Sequence, residues 1–130
     1  MPSMTRKFVQ RYLSFNNSKE VCLKEKEIEN LILEFLHLKG INCWKNQSVG
    51  IYDSRRKVYR KNHNRYHRNG VSDIIGVLRD GKFLAIEVKT VKGRPTENQK
   101  SFIESVEKNN GIAFIARSID DVIECLKEYL

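Results

Sequence analysis

Cysteine is scarce in this chain: Cys22, Cys43 and Cys125 are odd in number and widely separated. An odd count argues against a disulfide framework, and no two stand at the close spacing of a zinc site or redox motif. Reduced and mostly buried thiols are expected. Long apolar runs are missing too. Stretches such as Ile74-Ile75-Gly76-Val77-Leu78 are far too short to cross a bilayer. The opening Met1-Pro2-Ser3-Met4-Thr5-Arg6-Lys7 lacks the continuous apolar core of a secretory signal, so a cytoplasmic protein is expected. There is no internal repeat and no low-complexity linker. A last absence is local: from Ser54 to Ser72 there is no acidic residue.

What is present in that window is basic. Seven cations (Arg55, Arg56, Lys57, Arg60, Lys61, Arg65 and Arg68) have Tyr59 and Tyr66 interleaved among them. Cations contact phosphates and aromatic rings stack on unpaired bases, so the mixture suits a nucleic-acid groove. A plain solvated basic loop is the alternative. The net charge of +8, from 24 Lys+Arg against 16 Asp+Glu, favours a polyanionic partner in the same sense. With 130 residues, 40% hydrophobic and 31% charged, the chain reads as one globular domain spanning 1–130. Its core is expected over about 21–130, after an N-terminal extension at 1–20.

In that extension Phe8, Val9, Tyr12, Leu13 and Phe15 suggest a short helix docking on the core. Apolar residues recur at helical spacing from about Val21 to Lys39, and Gly40 stops the pattern. Ile41–Lys45 reads as a strand, and 46–70 as a long loop, of a length more often functional than idle. Val71–Leu78 and Lys82–Val91 read as two strands joined at Arg79-Asp80-Gly81. Thr96 opens a helix to about Asn109, Ile112–Ala116 is a short strand, and Ser118 caps a final helix running to the C-terminus. A hairpin followed by a strand–helix–strand crossover implies an α/β fold, with a mixed central sheet flanked by helices.

The chemistry concentrates on Phe83-Leu84-Ala85-Ile86-Glu87-Val88-Lys89. Both faces of this strand are apolar, yet Glu87 and Lys89 sit on one of them. Buried charges without partners cost several kcal/mol. A structural Glu87–Lys89 ion pair is one explanation. The other adds Asp73. With a three-residue loop at Arg79-Asp80-Gly81, Gly81 takes the left-handed position such loops require, and Asp73 falls opposite Glu87. A two-residue loop would slip the register and put the acids on opposite faces. Two adjoining carboxylates repel unless a cation lies between them. Oxygen donors with no Cys or His nearby select Mg2+, with Mn2+ as substitute, over zinc. Such a centre, with Lys89 beside it, fits phosphodiester hydrolysis.

Ser72-Asp73, then thirteen residues, then Glu87-Val88-Lys89 resembles the PD-(D/E)XK nuclease signature. More narrowly, Gly70-Val71-Ser72-Asp73-Ile74-Ile75-Gly76, Leu84-Ala85-Ile86-Glu87-Val88-Lys89-Thr90, Lys92-Gly93-Arg94 and Gln99 resemble the VRR-NUC branch, from about residue 21 to the C-terminus. Ser72 stands where the superfamily name has Pro, a position that tunes backbone and holds no ligand. The resemblance implies a restriction-endonuclease-like core and a Mg2+-dependent endodeoxyribonuclease. Asp73 and Glu87 would bind metal, assisted by the Val88 carbonyl, and Lys89 would be catalytic. Stand-alone members of the branch are similar to bacterial or phage-type proteins that act as homodimers on branched DNA, including the four-way (Holliday) junctions of DNA repair.

The resemblance also implies a glutamate on the first helix. Glu25 lies about 20° from Ile32 around the helix, on the flank of the apolar face. It also matches the family spacing, three residues before an apolar position, with Glu29 as fallback and an ordinary surface glutamate as the bland alternative. Gln99 would steer water or phosphate, yet Thr96-Glu97-Asn98-Gln99 also fits a capping box, and the two roles are compatible. Lys92 and Arg94 are candidate phosphate contacts. His63 and His67, spaced i, i+4, sit in poor helix context, which favours DNA contact or solvation over a metal site. Trp44 and Phe114 read as core or dimer-interface residues. The competing functions are a non-catalytic nucleic-acid-binding module on a nuclease-like scaffold and an adaptor for an acidic protein.

Overall fold

Helix α1 (Glu25–Leu38) forms because its apolar residues fall on one side: Ile28, Leu31, Ile32, Phe35 and Leu36 are all buried. Its start is tied by Glu27, whose Oε2 accepts the Lys24 N–H at 3.1 Å. The structure, a computed structural model, describes residue 10 and residues 23–47, 51–60 and 64–130. The expected helix in 1–20, Cys22, Lys61 and His63 lie outside the described residues. The side chains of Ile51 and Arg60 lie outside them too.

After α1 come β1 (Asn42–Lys45), β2 (Ile51–Asp53), β3 (Val58–Arg60), β4 (Ile74–Val77) and β5 (Phe83–Val88). Helix α2 (Glu97–Lys108), β6 (Ile112–Ala116), α3 (Ile119–Cys125) and a 3-10 turn at Lys127–Tyr129 complete the described order. Strands β1, β4, β5 and β6 form one sheet in that spatial order. β4 is antiparallel to both β1 and β5, whereas β6 runs parallel to β5. The parallel pair is joined by α2, as a crossover demands. The sheet is therefore mixed and flanked by helices, as the element pattern implied.

The two faces are covered differently. On one, Ile74, Leu84, Ile86 and Val88 pack with α1, and with Ile119, Val122 and Leu126 at the C-terminal end. On the other, Ala85 and Ala113 meet Phe102 and Val106 of α2. Fully burying a Leu, Ile or Phe contributes roughly 1.5–3 kcal/mol, so the larger cluster dominates stability. The α2 face is less completely covered. Trp44, Val77 and Phe83 share it by register and remain 46%, 41% and 40% exposed. Phe114 instead packs against the main core.

Three expectations need correction. Residues 46–70 are not loop throughout, because β2 and β3 pair as an antiparallel hairpin. Asp53 Oδ1 organises its turn by accepting the Arg55 N–H at 3.0 Å. Strands of three residues around a turn without glycine leave almost no periodic signal. The last helix also stops early, at Cys125, because the chain turns back onto the β4–β5 hairpin. There the Tyr129 hydroxyl donates to Asp80 Oδ2 at 2.6 Å and Arg79 Nη2 donates to the Tyr129 carbonyl at 2.8 Å. Of the two thiols described, Cys43 is buried but Cys125 is exposed.

Candidate functional site

The β4–β5 connection is the three-residue loop Arg79-Asp80-Gly81. Leu78 N–H donates to the Lys82 carbonyl, and Gly81 has φ +87°, where glycine has no Cβ penalty. Ile74 pairs with Ile86 and Ile75 with Ala85. One step further along the same register, Asp73 stands opposite Glu87 on the α2 side of the sheet. The register expected from the turn chemistry is the one observed.

At this end the backbone ladder gives way to side chains. Val88 N–H donates to Asp73 Oδ2 at 2.9 Å, which draws the Asp73 carboxylate against β5. On the other side of the strand, Lys89 N–H donates to the Ala116 carbonyl at 3.0 Å. Glu87 is 1% exposed. Its Oε1 accepts Gln99 Nε2 at 2.8 Å and lies 3.4 Å from Lys89 Nζ. Its Oε2 is buried with no hydrogen-bond partner. Burial pushes the Glu87 carboxyl up, to about 7, with the Asp73 charge adding to the rise and Lys89 opposing it. The Glu87–Lys89 pair thus exists, but one cation faces two acids and leaves an oxygen orphaned. A simple ion pair does not account for the cluster.

Of the two roles considered for Gln99, the capping box is the one observed. Gln99 Oε1 accepts the Thr96 N–H at 2.8 Å while Thr96 Oγ1 accepts the Gln99 N–H at 3.2 Å, which closes the capping box of α2. The remaining amide group is the one that reaches Glu87. On α1, Glu29 is the buried acid (6% exposed), with Oε1 3.4 Å from Lys45 Nζ. Burial raises its pKa and Lys45 lowers it, with smaller upward contributions from Asp73 and Glu25. Glu29 therefore shares a field with Asp73, and Glu25 stands one helical turn before it, half-buried. Among the described residues no group of three or more His, Cys, Asp or Glu converges as a ready-made metal cage.

Residues 23–120 match the VRR-NUC domain family. The chain belongs to the VRR-NUC family. It is also similar to a solved structure of a VRR-NUC domain protein, at 20% identity with a TM-score of 0.53, over 84% of this chain and 89% of that one. At that identity the likeness bears on the fold. No curated protein matches the chain. VRR-NUC is a nuclease-like family, which makes DNA the expected substrate.

Around the VRR-NUC core the basic residues separate into groups. Arg55, Arg56, Lys57 and Tyr59 are exposed on the β2–β3 hairpin. Arg65 lies over the Tyr66 ring at 5.1 Å, and Tyr66 is 82% exposed. Arg68 is engaged with α2: it donates to Ser105 Oγ at 3.1 Å and lies over the Phe102 ring at 5.4 Å. Lys92 and Arg94 are exposed in the loop after β5. That loop is held by Arg117, whose Nη1 donates to the Thr90 and Gly93 carbonyls. Neither Arg117 nor the Glu29–Lys45 pair carries a sequence pattern that would single it out. No described helix is long and apolar enough to cross a membrane.

Proposed function

We propose that this VRR-NUC chain is a divalent-cation-dependent endonuclease of the PD-(D/E)XK type, hydrolysing DNA phosphodiester bonds selectively at branched DNA such as four-way junctions, as a homodimer. The reading rests on one observation: Asp73 and Glu87 meet across neighbouring strands, beside Lys89, with a Glu87 oxygen buried and unpartnered. Two acids in that setting need a proton or more positive charge than Lys89 alone supplies. The donors are hard oxygens, the set that Mg2+ or Mn2+ takes. Mg2+ keeps several waters, so two carboxylates with the Val88 carbonyl suffice to hold it.

Such an ion, when bound, supplies positive charge at a phosphate and acidifies water. The chain's own residues do the rest. Gln99 fixes one oxygen of Glu87 and keeps the carboxylate from turning away. Lys89, next to Glu87, orients the attacking water and offsets charge growing on the phosphate. Glu25 is the α1 carboxylate for a metal-bound water, with Glu29, paired to Lys45 at 3.4 Å, as the alternative. Arg55, Arg56, Lys57, Arg60, Lys61, Arg65, Lys92 and Arg94 supply phosphate contacts, joined by Arg68, which is held against α2. The exposed Trp44, Val77 and Phe83 offer a second copy an apolar patch on one sheet face.

The test is a panel of junction, flap and plain duplex DNA with Mg2+, repeated with Asp73→Ala, Glu87→Ala and Lys89→Ala. Cleavage of the junction by the wild type and loss in each variant supports the site. Persistent cleavage in all three variants overturns it, and sedimentation at monomer mass on DNA overturns the dimer.

A further inference from the structure

The β2–β3 hairpin stands apart from the four-stranded sheet: its strands pair with each other and not with β1, β4, β5 or β6. Tyr52 and Tyr59 are directly opposite in its register, so both rings project from the same face. Their centroids are 5.2 Å apart and the planes are tilted by 57°. A buried aromatic pair would need no further explanation, but these are 54% and 64% exposed. The pair thus presents open aromatic surface to solvent. The turn between the strands carries Arg55, Arg56 and Lys57, all exposed. Tyr52, Asp53, Ser54, Arg55 and Arg56 line an open hollow beside it. Asp53 is the one acid there, and it is turned inward to the Arg55 and Arg56 N–H groups.

We infer that this hairpin is a base-stacking finger for DNA with unpaired nucleotides: the Tyr52–Tyr59 face takes splayed bases and the turn cations take the flanking phosphates. Duplex DNA hides its base faces, so cations alone would serve it. Aromatic faces become useful when bases are unstacked, as at a gap, flap or branch. Charge complementarity selects a polyanion, and the paired rings select its unpaired segments. The inference rests on the nuclease reading for its purpose, since it names the DNA feature that would bring the Asp73–Glu87 site to its bond. Its binding chemistry is independent of cleavage.

The full chain is titrated, in EDTA, onto a gapped duplex carrying 2-aminopurine in the gap, onto the matched continuous duplex, and onto an RNA of the gap sequence. The wild type should quench 2-aminopurine and prefer gapped over continuous duplex. Tyr52→Ala/Tyr59→Ala should weaken gapped binding roughly tenfold or more, with little effect on the duplex. Tyr52→Phe/Tyr59→Phe should retain both quenching and preference. Arg55→Ala/Arg56→Ala/Lys57→Ala should weaken both DNAs and flatten the salt dependence. Absence of quenching by the wild type overturns the inference whatever the variants do. So does an equal loss on both DNAs in the alanine pair, or tighter binding to the RNA. Selective quenching without cleavage of any substrate sinks the nuclease reading and leaves the finger standing. Cleavage by the wild type without 2-aminopurine quenching does the reverse.

Discussion

Gln99 and Glu87 are joined by a single hydrogen bond, Nε2 to Oε1 at 2.8 Å, while the other end of the same amide closes the N-terminal cap of α2. Helix stability and carboxylate orientation therefore depend on one side chain. Gln99→Ala should cost about 1 kcal/mol through the lost cap. Gln99→Glu keeps an acceptor for Thr96 but removes the donor to Glu87 and adds a third acid. Its cleavage rate should fall roughly tenfold or more. A Gln99→Glu protein that cleaves like the wild type would reduce Gln99 to a helix cap.

Asp73 raises the pKa of both Glu87 and Glu29 through its charge. Raised acid pKa values add stability below the unfolded value of 4.5, and it is lost as pH rises through the folded one, about 7 for Glu87. At pH 8 the metal-free protein therefore carries the full penalty. Burial is the larger cause of that penalty, so Asp73→Asn relieves only the share due to the Asp73 charge, and it keeps an acceptor for Val88. Its metal-free melting temperature at pH 8 should rise by a few degrees while cleavage disappears. Saturating Mg2+ should raise the wild-type melting temperature, by about 2.7 kcal/mol of stability at a hundred times Kd, and leave the variant unmoved.

Lys89 faces Glu87 with only 12% of its side chain exposed. Lys89→Ala leaves a buried carboxylate without its cation, and a loss of roughly 3–5 kcal/mol is expected from denaturant unfolding without metal. Lys89→Arg keeps the charge and most of that stability. Its wider, planar head changes where charge is delivered, so a drop in cleavage of more than tenfold is expected. Equal cleavage by the Arg variant would mean that Lys89 acts only as a counter-charge.

Gly70 has φ +79°, and a Cβ there would stand 2.4 Å from the Asn98 carbonyl carbon and oxygen and 2.7 Å from Gln99 N. Backbone meets backbone, so neither side can yield cheaply. Gly70→Ala should lose roughly 2–3 kcal/mol and separate the Asp73 segment from the start of α2. Cleavage should fall further than the lost stability explains when measured well below the melting temperature. Wild-type activity in a folded variant would show that this close approach does not position the site.

Tyr129 and Asp80 close the C-terminal turn onto the β4–β5 loop. The bond from Tyr129 lowers the Asp80 pKa, and Asp80 pushes Tyr129 up to about 12. For Asp80 the stability is present above its unfolded value of 3.8 and falls away as pH drops through the lower folded one. For Tyr129 it is present below 10 and lost on rising through about 12. Tyr129→Phe should flatten thermal stability in both windows and leave cleavage at neutral pH unchanged. Identical pH–stability curves for the two proteins would dismiss the clasp.

Local chemistry made much of the site legible in advance. The pairing of Asp73 with Glu87 follows from alternation along two strands and from Gly81 in a three-residue turn, all within fifteen residues of chain. The capping box at Thr96 and Gln99 is equally local. The β2–β3 hairpin was illegible for the opposite reason. Its strands are three residues long, too short for a period to show, and Tyr52 and Tyr59 are seen to be opposed only once the register is known.

By itself the sequence pointed to which acids share a face, because a three-residue turn closed by Gly81, once granted, lets side-chain period set the register. It left open which helix carboxylate is buried, since Glu25 and Glu29 are both compatible with the apolar stripe of α1. Packing of α1 beside β1 decided that, by bringing Lys45 to Glu29. Docking of α2 decided that the spare end of Gln99 meets Glu87, and Arg117 reached across more than twenty residues to hold the loop after β5. Such contacts join elements whose separation in the chain carries no period, so they exist only once the layers have packed.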